Sequence, residues 1–134
     1  MFKKYLYASL ISFCFLFFAN VVAAQTAPIT DWYIKNFDST IVVNKDSSLL
    51  ITELITADCD DLPNKHGIFR VLPLQTKTDK GTIKTPIELL SITDFSGNSY
   101  KFQTIKYSST MTWKIGDPNK TVTGENYYKI VYKV

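Results

Sequence analysis

Residues 32–56 constrain the fold of this chain more than any other stretch. They contain two runs rich in Ile, Val, Leu and Thr, separated by the polar residues 44–48. Ile41 and Val43 share one face of the first run, and apolar side chains alternate along the second. β-Branched residues, alternation and a polar turn are typical of an antiparallel hairpin. We therefore predict a hairpin here, with a bulge or bend near residues 36–39, where Asn and Asp interrupt the first run.

The same pattern of short apolar runs and polar turns continues to the end of the chain. Six or seven strands without helical periodicity indicate an all-β protein, which we interpret as an antiparallel β-sandwich of immunoglobulin-like kind, with a β-barrel as the alternative. Trp113 is predicted to lie in the core, and residues 87–108 are predicted to form a second hairpin around the turn 95–99. The other predicted segments are strands at 66–74, 110–115 and 126–134 and a solvent loop at 75–86. In the last strand Tyr128, Ile130, Tyr132 and Val134 fall on one face.

Residues 1–24 have the composition of a signal peptide. Lys3 and Lys4 precede an apolar run at 6–18, and Val22, Ala23 and Ala24 supply small residues for cleavage before Gln25. An uncleaved anchor is the alternative, but the apolar run is shorter than the roughly 20 residues that cross a bilayer. We therefore predict that residues 25–134 form a single exported, extracytoplasmic domain.

Charge argues against a nucleic-acid partner. Two of the 15 basic residues lie in the predicted leader, which leaves the remainder almost neutral against 12 acidic residues. The basic residues are lysines spread along the predicted strands, and Arg70 is the only arginine. Nucleic-acid binding requires clustered Lys and Arg. We expect a protein or an envelope component as the partner instead.

The chain stops inside its clearest predicted strand, with no turn or polar tail after Val134. We expect that the natural product continues with further strands. The alternative is that residues 126–134 form an edge strand at the terminus.

Three segments, taken in order, resemble a particular bacterial family. They read IVVNKDSSLLITELIT, GIFRVLPL and IGDPNKTVTGENYYKIVYKV, and residues 67–73 and 116–124 contain the more specific parts. The chain resembles, over residues 29–134, the N-terminal domain of the predicted membrane proteins of domain of unknown function 2207. One departure is Ser47, where a glycine would be expected in the hairpin turn. The resemblance implies an exported β-rich domain followed by a transmembrane segment that tethers it, and it implies no catalytic residue or ligand.

Arg70 and His66 are the candidate partner-binding residues. Arg70 lies between Phe69 and Val71 in an apolar run, and a guanidinium can make a bidentate contact with a partner's carboxylate or phosphate. An outward-facing arginine, or one paired with an Asp of the neighbouring loop, is the structural alternative. For His66, the alternative is a loop histidine hydrogen-bonded to the backbone or to water.

The loop that follows the first hairpin is a weak candidate for a calcium site. Asp58, Asp60, Asp61 and Asn64 offer four oxygen-bearing side chains, and hard cations prefer oxygen ligands. A solvated acidic loop is the alternative, because the spacing lacks the glycine and closing Glu of an EF-hand. We expect no other metal and no cofactor.

Cys59 is the single cysteine outside the predicted leader, so the domain has no internal disulfide. We interpret it as a small apolar filler at a strand end, with pairing to another chain as the alternative. A Cys59–His66 catalytic pair lacks an orienting group and an oxyanion-hole motif.

Three functional hypotheses follow. The first is a non-enzymatic, extracytoplasmic β-sandwich module that binds a protein or envelope component and is tethered to the membrane in the complete protein. The second is an accessory domain of an envelope enzyme. The third is a Ca²⁺-dependent adhesion-type module that uses residues 58–64.

Overall fold

The structure, a computed structural model, describes residues 31–134. The predicted signal peptide and its cleavage site lie outside the described residues. In the described part the chain forms nine strands and no helix. They are β1 (Tyr33–Val43), β2 (Leu49–Asp58), β3 (Ile68–Pro73), β4 (Gln75–Thr78), β5 (Gly81–Lys84), β6 (Glu88–Thr93), β7 (Phe102–Lys106), β8 (Thr110–Ile115) and β9 (Glu125–Lys133).

The strands form two main sheets and one small hairpin, and every pairing is antiparallel. The four-stranded sheet has the order β1-β2-β9-β6, and the three-stranded sheet has the order β3-β8-β7. The pair β4-β5 stands apart as a two-stranded sheet. The prediction of an all-β, antiparallel protein is confirmed. Within residues 31–134, nothing helical is long and apolar enough to cross a membrane.

The opening hairpin is confirmed, and its bulge decides which side chains face inward. β1 pairs with β2, and the register shifts between Ile34 and Asn36, just before the predicted break. Ile34 lies opposite Ala57 and Phe37 opposite Ile55, both of which are buried. Opposite residues share a face of a sheet. In a regular strand, two residues that are three positions apart lie on opposite faces. The extra residue of the bulge therefore places both Ile34 and Phe37 on the inward face.

The turn of this hairpin shows why a glycine is expected at position 47. Ser47 has a φ of 66°, in the left-handed region that glycine adopts most readily. Asp46 stabilises the turn, since its carboxylate accepts hydrogen bonds from the Ser48 amide (3.1 Å) and hydroxyl (2.6 Å).

The core lies between the two main sheets. It contains Ile55 and Ala57 from β2, Ile92 from β6, Leu72 from β3, Met111, Trp113 and Ile115 from β8, and Tyr128, Ile130 and Tyr132 from β9. Trp113 is fully buried, as predicted, and its ring meets the Tyr132 ring edge-on at 5.4 Å between centroids. Tyr128, Ile130 and Tyr132 share the buried face of β9, as the period-two pattern predicts.

The predicted second hairpin is wrong. β6 pairs with β9 in the four-stranded sheet, whereas β7 pairs with β8 in the three-stranded sheet. Within the described residues the two segments meet only at the turn, where the Asp94 amide donates to the Asn98 carbonyl and the Tyr100 amide to the Ile92 carbonyl around a single bridge between Thr93 and Ser99. The chain crosses from one sheet to the other here, and each strand finds its ladder of partners in a later strand, β9 for β6 and β8 for β7.

The prediction of six or seven strands is also wrong, because the predicted solvent loop contains β4 and β5. Thr78 closes their turn by accepting from the Lys80 amide (3.3 Å) and donating to the Gly81 carbonyl (2.9 Å). This hairpin is mostly exposed and hydrophilic. It buries no apolar face, so alternating hydrophobicity did not indicate it.

The strand order differs from that of an immunoglobulin constant domain. Without β4 and β5, the strands divide into sheets of four and three, as in that domain. The seventh of these strands, β9, lies in the four-stranded sheet and the fifth, β7, in the three-stranded sheet. In an immunoglobulin constant domain the fifth strand lies in the four-stranded sheet and the seventh strand in the three-stranded sheet. The two packed sheets thus have a different connectivity.

Candidate functional site

A groove opens between β1 of the larger sheet and β3 of the smaller one. Its volume is about 750 Å³. The larger sheet has one strand more than the smaller sheet, and the inward face of β1 is uncovered: Ile34 is 54% exposed and Phe37 is 47% exposed. The apolar lining consists of Trp32, Ile34, Phe37, Ile55, Ile68, Phe69, Ile115 and Pro118. Uncovered apolar side chains in a concave surface are typical of binding sites.

An ion pair joins the two sheets at one end of the groove. Arg70 on β3 donates through Nε to Glu53 Oε2 (2.7 Å) and through Nη2 to Glu53 Oε1 (2.5 Å). The Glu53 side chain is 3% exposed and that of Arg70 is 26% exposed. Tyr132 on β9 donates to Glu53 Oε1 at 2.8 Å. A buried carboxylate is tolerable only when it is paired and hydrogen-bonded, and Glu53 meets both conditions.

The clamp formed by Glu53, Arg70 and Tyr132 has a definite charge state. The hydrogen bonds to Glu53 raise the pKa of Arg70, so the guanidinium stays charged. Burial and the Glu53 hydrogen bond raise the pKa of Tyr132 to about 12, so the phenol stays neutral and donates its proton. The Arg70 guanidinium also lies 6.0 Å from the centre of the Phe37 ring, at the edge of cation–π range.

Raising the pH should weaken the fold through Tyr132. Its phenol ionises near pH 10 when unfolded but only at about 12 when folded. The contribution of the neutral Tyr132 phenol to the free energy of unfolding is fully present below pH 10 and is lost as the pH rises to about 12. Urea denaturation of Tyr132→Phe should therefore show a smaller fall in stability over this range than the unsubstituted protein. Tyr107→Phe, at an exposed position, is the control. An unchanged pH profile in Tyr132→Phe would contradict this assignment.

His66 lies at the opposite end of the groove. Its Nδ1 is 2.9 Å from the Lys120 carbonyl oxygen, which can only accept, so Nδ1 carries the proton. In the neutral ring Nε2 is then an acceptor. Arg70 and His66, predicted separately as partner-binding residues, thus line the same groove, together with Asn64 of the calcium candidates. Their role in binding stays a prediction.

Two glycines bring the backbones of two loops into contact beside His66. Gly67 and Gly116 have φ values of 146° and 135°, which side-chain-bearing residues rarely adopt. A Cβ on Gly67 would collide with the Ile115 carbonyl, and one on Gly116 would collide with the His66 carbonyl. This close approach sets the shape of the groove at this end.

The rim of the groove carries an unneutralised positive charge. Lys65 pairs with Asp31 at 2.6 Å, and Arg70 pairs with Glu53. Lys114 lies 5.8 Å from the centre of the Phe69 ring, and it has no carboxylate partner within the described part of the chain. The groove is therefore apolar at its base and weakly basic at its rim.

One of the calcium candidates, Asp58, is engaged by hydrogen bonds. The Asp58 carboxylate accepts from the Asp60 amide (2.8 Å) and the Tyr33 hydroxyl (3.0 Å). Across residues 31–134, no group of three or more His, Cys, Asp or Glu side chains is placed to hold a metal ion. The backbone of Asp60, with a φ of 50°, accepts from the Gly124 amide at 2.8 Å. Calcium binding by Asp58, Asp60, Asp61 and Asn64 stays a prediction.

Cys59 is buried directly after β2. Its sulfur lies 3.5 Å from the Val122 carbonyl oxygen and 3.8 Å from that of Gly124. Burial raises the pKa of the thiol, which disfavours the reactive thiolate. This placement is that of a small filler at a strand end.

Sequence reasoning missed Glu53, the central residue of the clamp. The signal is present: Glu53 interrupts the apolar run LLITELIT at an inward position, in phase with Ile51 and Ile55. An acid at a core position requires a cation. Arg70 is the only arginine that can supply one bidentately, so the pair was open to prediction.

Comparisons with known proteins agree with the resemblance noted in the sequence. Residues 33–134 match the family model described as "Predicted membrane protein (DUF2207) N-terminal domain". The match includes all nine strands. No curated protein and no solved structure gave a significant match.

Proposed function

Because the chain belongs to this family of predicted membrane proteins, we propose that residues 25–134 form a non-enzymatic, extracytoplasmic module of a membrane-anchored envelope protein. The module binds a protein or envelope component in the groove between β1 and β3. One observation supports this proposal above the others: the inward apolar face of β1 is uncovered beside that groove. Apolar surface of this kind is usually covered by a partner.

Two features support binding rather than catalysis. Cys59 is buried against backbone carbonyls, and its raised pKa makes it a poor nucleophile. His66 has its Nδ1 engaged by a backbone carbonyl rather than by an acid that would orient it as a base.

The leader supports the extracytoplasmic location. Residues 1–24 have the charged, apolar and small-residue regions of a signal peptide, and a membrane segment in the rest of the full-length protein would retain the exported module at the cell surface. The groove would then face the envelope.

Cysteine labelling in cells that make the full-length protein tests both parts of the proposal. Single cysteines are placed at Lys80 in the exposed β4-β5 turn, at Phe69 on the groove and at Phe102 away from it. Phe69 is 63% exposed and Phe102 is 45% exposed, so both sites are open in the free protein. A membrane-impermeant maleimide should label Lys80→Cys in cells with an intact cytoplasmic membrane. Phe69→Cys should react more slowly in cells than in purified protein, because the partner covers it.

Two controls accompany these variants, one for a site away from the groove and one for background labelling. Phe102→Cys should react equally in cells and in purified protein, and the unsubstituted protein reports any background from buried Cys59. If Lys80→Cys reacts only after the cytoplasmic membrane is permeabilised, the extracytoplasmic location is wrong. If Phe69→Cys reacts equally in both settings, the groove is unoccupied and its binding role is wrong.

A further inference from the structure

The free edges of the two main sheets are not equally protected. β3 ends in Pro73, which lacks an amide hydrogen, and Arg70 Nη1 donates to the Val71 carbonyl at 3.0 Å. β6 has a register irregularity, and β7 has five residues including Lys106. Prolines, bulges, charges and short length are the features by which natural sheets prevent further strand pairing. Each of these three edges has at least one of them.

β1, the fourth edge, is protected along only half of its length. Its bulge and Lys35, which pairs with Glu125, lie near its start. Residues 39–43 read STIVV, with no charge, proline, glycine or bulge. All of these residues are exposed, and Ile41 and Val43 continue the uncovered inward face. No strand of residues 31–134 other than β2 pairs with this segment, which is therefore an open sheet edge in the described part of the chain.

The hydrogen-bond pattern shows which backbone groups are free. The Asn44 amide donates to the Ser48 carbonyl at 2.8 Å, so residues of β1 at even positions bond to β2 in the regular part of the ladder. Leu49, opposite Val43, instead exchanges both of its bonds with Val134. The N–H and C=O groups that face away from β2 therefore belong to Phe37, Ser39, Ile41 and Val43.

We propose that residues 39–43 accept an extended strand of another protein, which pairs with β1 and lengthens the four-stranded sheet. The added strand carries apolar side chains beside Ile41 and Val43 and a lysine or arginine opposite Asp38. Main-chain hydrogen bonds supply the affinity in this mode of recognition, and alternate side chains supply the specificity. The inference rests on the proposed binding function but uses the edge of β1 rather than the groove.

Charge favours a basic strand at this edge. Asp38 accepts a hydrogen bond from Asn36 Nδ2 at 2.6 Å, and no cation of residues 31–134 pairs with it. It lies beside the open segment and points to the outward face. Opposite charges on directly paired residues of neighbouring strands stabilise the pairing, and like charges destabilise it.

The same reasoning disfavours a second copy of this chain. When the β1 strands of two copies pair about a two-fold axis, the same face of each strand points inward. Odd-numbered residues therefore lie opposite odd-numbered residues, and even-numbered residues lie opposite even-numbered ones. In every such register Asp38 meets an even-numbered residue of β1, and none of the residues at positions 34, 36, 38, 40 and 42 is basic. A different protein can meet Asp38 with a basic residue.

A short synthetic peptide tests the edge. It alternates valine and threonine and places one lysine among the threonines, so that it can lie opposite Asp38. On binding to the full-length protein, it should slow hydrogen exchange at the amides of Phe37, Ser39, Ile41 and Val43. Ser39→Pro removes one free-edge N–H and no β1–β2 bond, and it should weaken binding by about tenfold, as expected for loss of one or two hydrogen bonds.

Matched variants show whether the peptide binds through the backbone of β1. Ser39→Ala should bind the peptide as the unsubstituted protein does, and a peptide with glutamate in place of lysine should bind several-fold more weakly. Binding that Ser39→Pro does not weaken, protection at Thr40 and Val42 alone, or no binding would overturn the proposal. Dimerisation of the protein that Ser39→Pro abolishes would assign the edge to a second copy and also overturn it. The groove result at Phe69 is read separately, so either proposal can fail alone.

Discussion

Replacing Arg70 by methionine should lower the free energy of unfolding by about 3 kcal/mol, the lower end of the cost of breaking a buried ion pair. Among residues 31–134, the substitution leaves the buried Glu53 carboxylate with only the Tyr132 hydroxyl as a side-chain donor. The lower end applies because the Arg70 side chain is 26% exposed, so water partly screens the pair. Urea denaturation monitored by the fluorescence of buried Trp113 would measure this change.

A double substitution distinguishes the ion pair from simple loss of packing. Glu53→Met together with Arg70→Met removes both charges and retains apolar volume, so it should cost clearly less than Arg70→Met alone. Lys101→Met breaks an exposed ion pair with Asp117 and should change stability by less than about 1 kcal/mol. Equal costs for the single and double substitutions at the clamp would show that Glu53 needs no cation.

Replacing Gly67 by alanine should destabilise the domain by about 3 kcal/mol or more, a size that is reached only through specific mechanisms such as overpacking or backbone strain. The new methyl group would meet the Ile115 carbonyl, which belongs to the backbone and cannot rotate away. The φ of 146° adds strain to any residue with a Cβ. Thermal and urea denaturation would measure the loss, and Gly116→Ala should behave alike, since its methyl group would meet the His66 carbonyl.

Gly81→Ala is the matched control for this substitution. Gly81 has a φ of 128°, but apart from Gly81 itself and its two chain neighbours no heavy atom of the described residues lies within 4 Å of the place where its Cβ would stand. The two alanine variants thus share unfavourable backbone angles and differ in the collision. We expect Gly81→Ala to cost about 1 kcal/mol, as for strain alone. If both variants lose the same stability, the contact between the two loops does not hold this end of the groove.

The sequence predicted what depends on local pattern. The hairpin of β1 and β2, the strand β8 and the buried face of β9 all follow from alternating apolar residues beside polar turns. The buried position of Trp113 follows from the same pattern. These features need no knowledge of the rest of the fold, because the side-chain period of a strand is a local property.

Features that depend on partners distant in the chain were not predicted. β6 and β7 have the composition of a hairpin, but β6 pairs with β9 instead. β9 begins more than thirty residues after the end of β6. The groove depends on the unequal widths of the two sheets, which no single segment encodes. Arg70 and His66 were selected by residue type, and the groove that they line is completed by residues of β1 and β8, which are distant in the chain.

The central place of β9 also decides when this domain can fold. β9 is the last of the nine strands within residues 31–134, yet it lies between β2 and β6 and carries three core residues. The β1–β2 hairpin can form early, because its contacts are local. The larger sheet remains in two parts until β9 has been synthesised. The earlier strands must therefore remain incompletely paired, with apolar side chains exposed, until β9 is available, and unpaired strands of this kind are prone to aggregate.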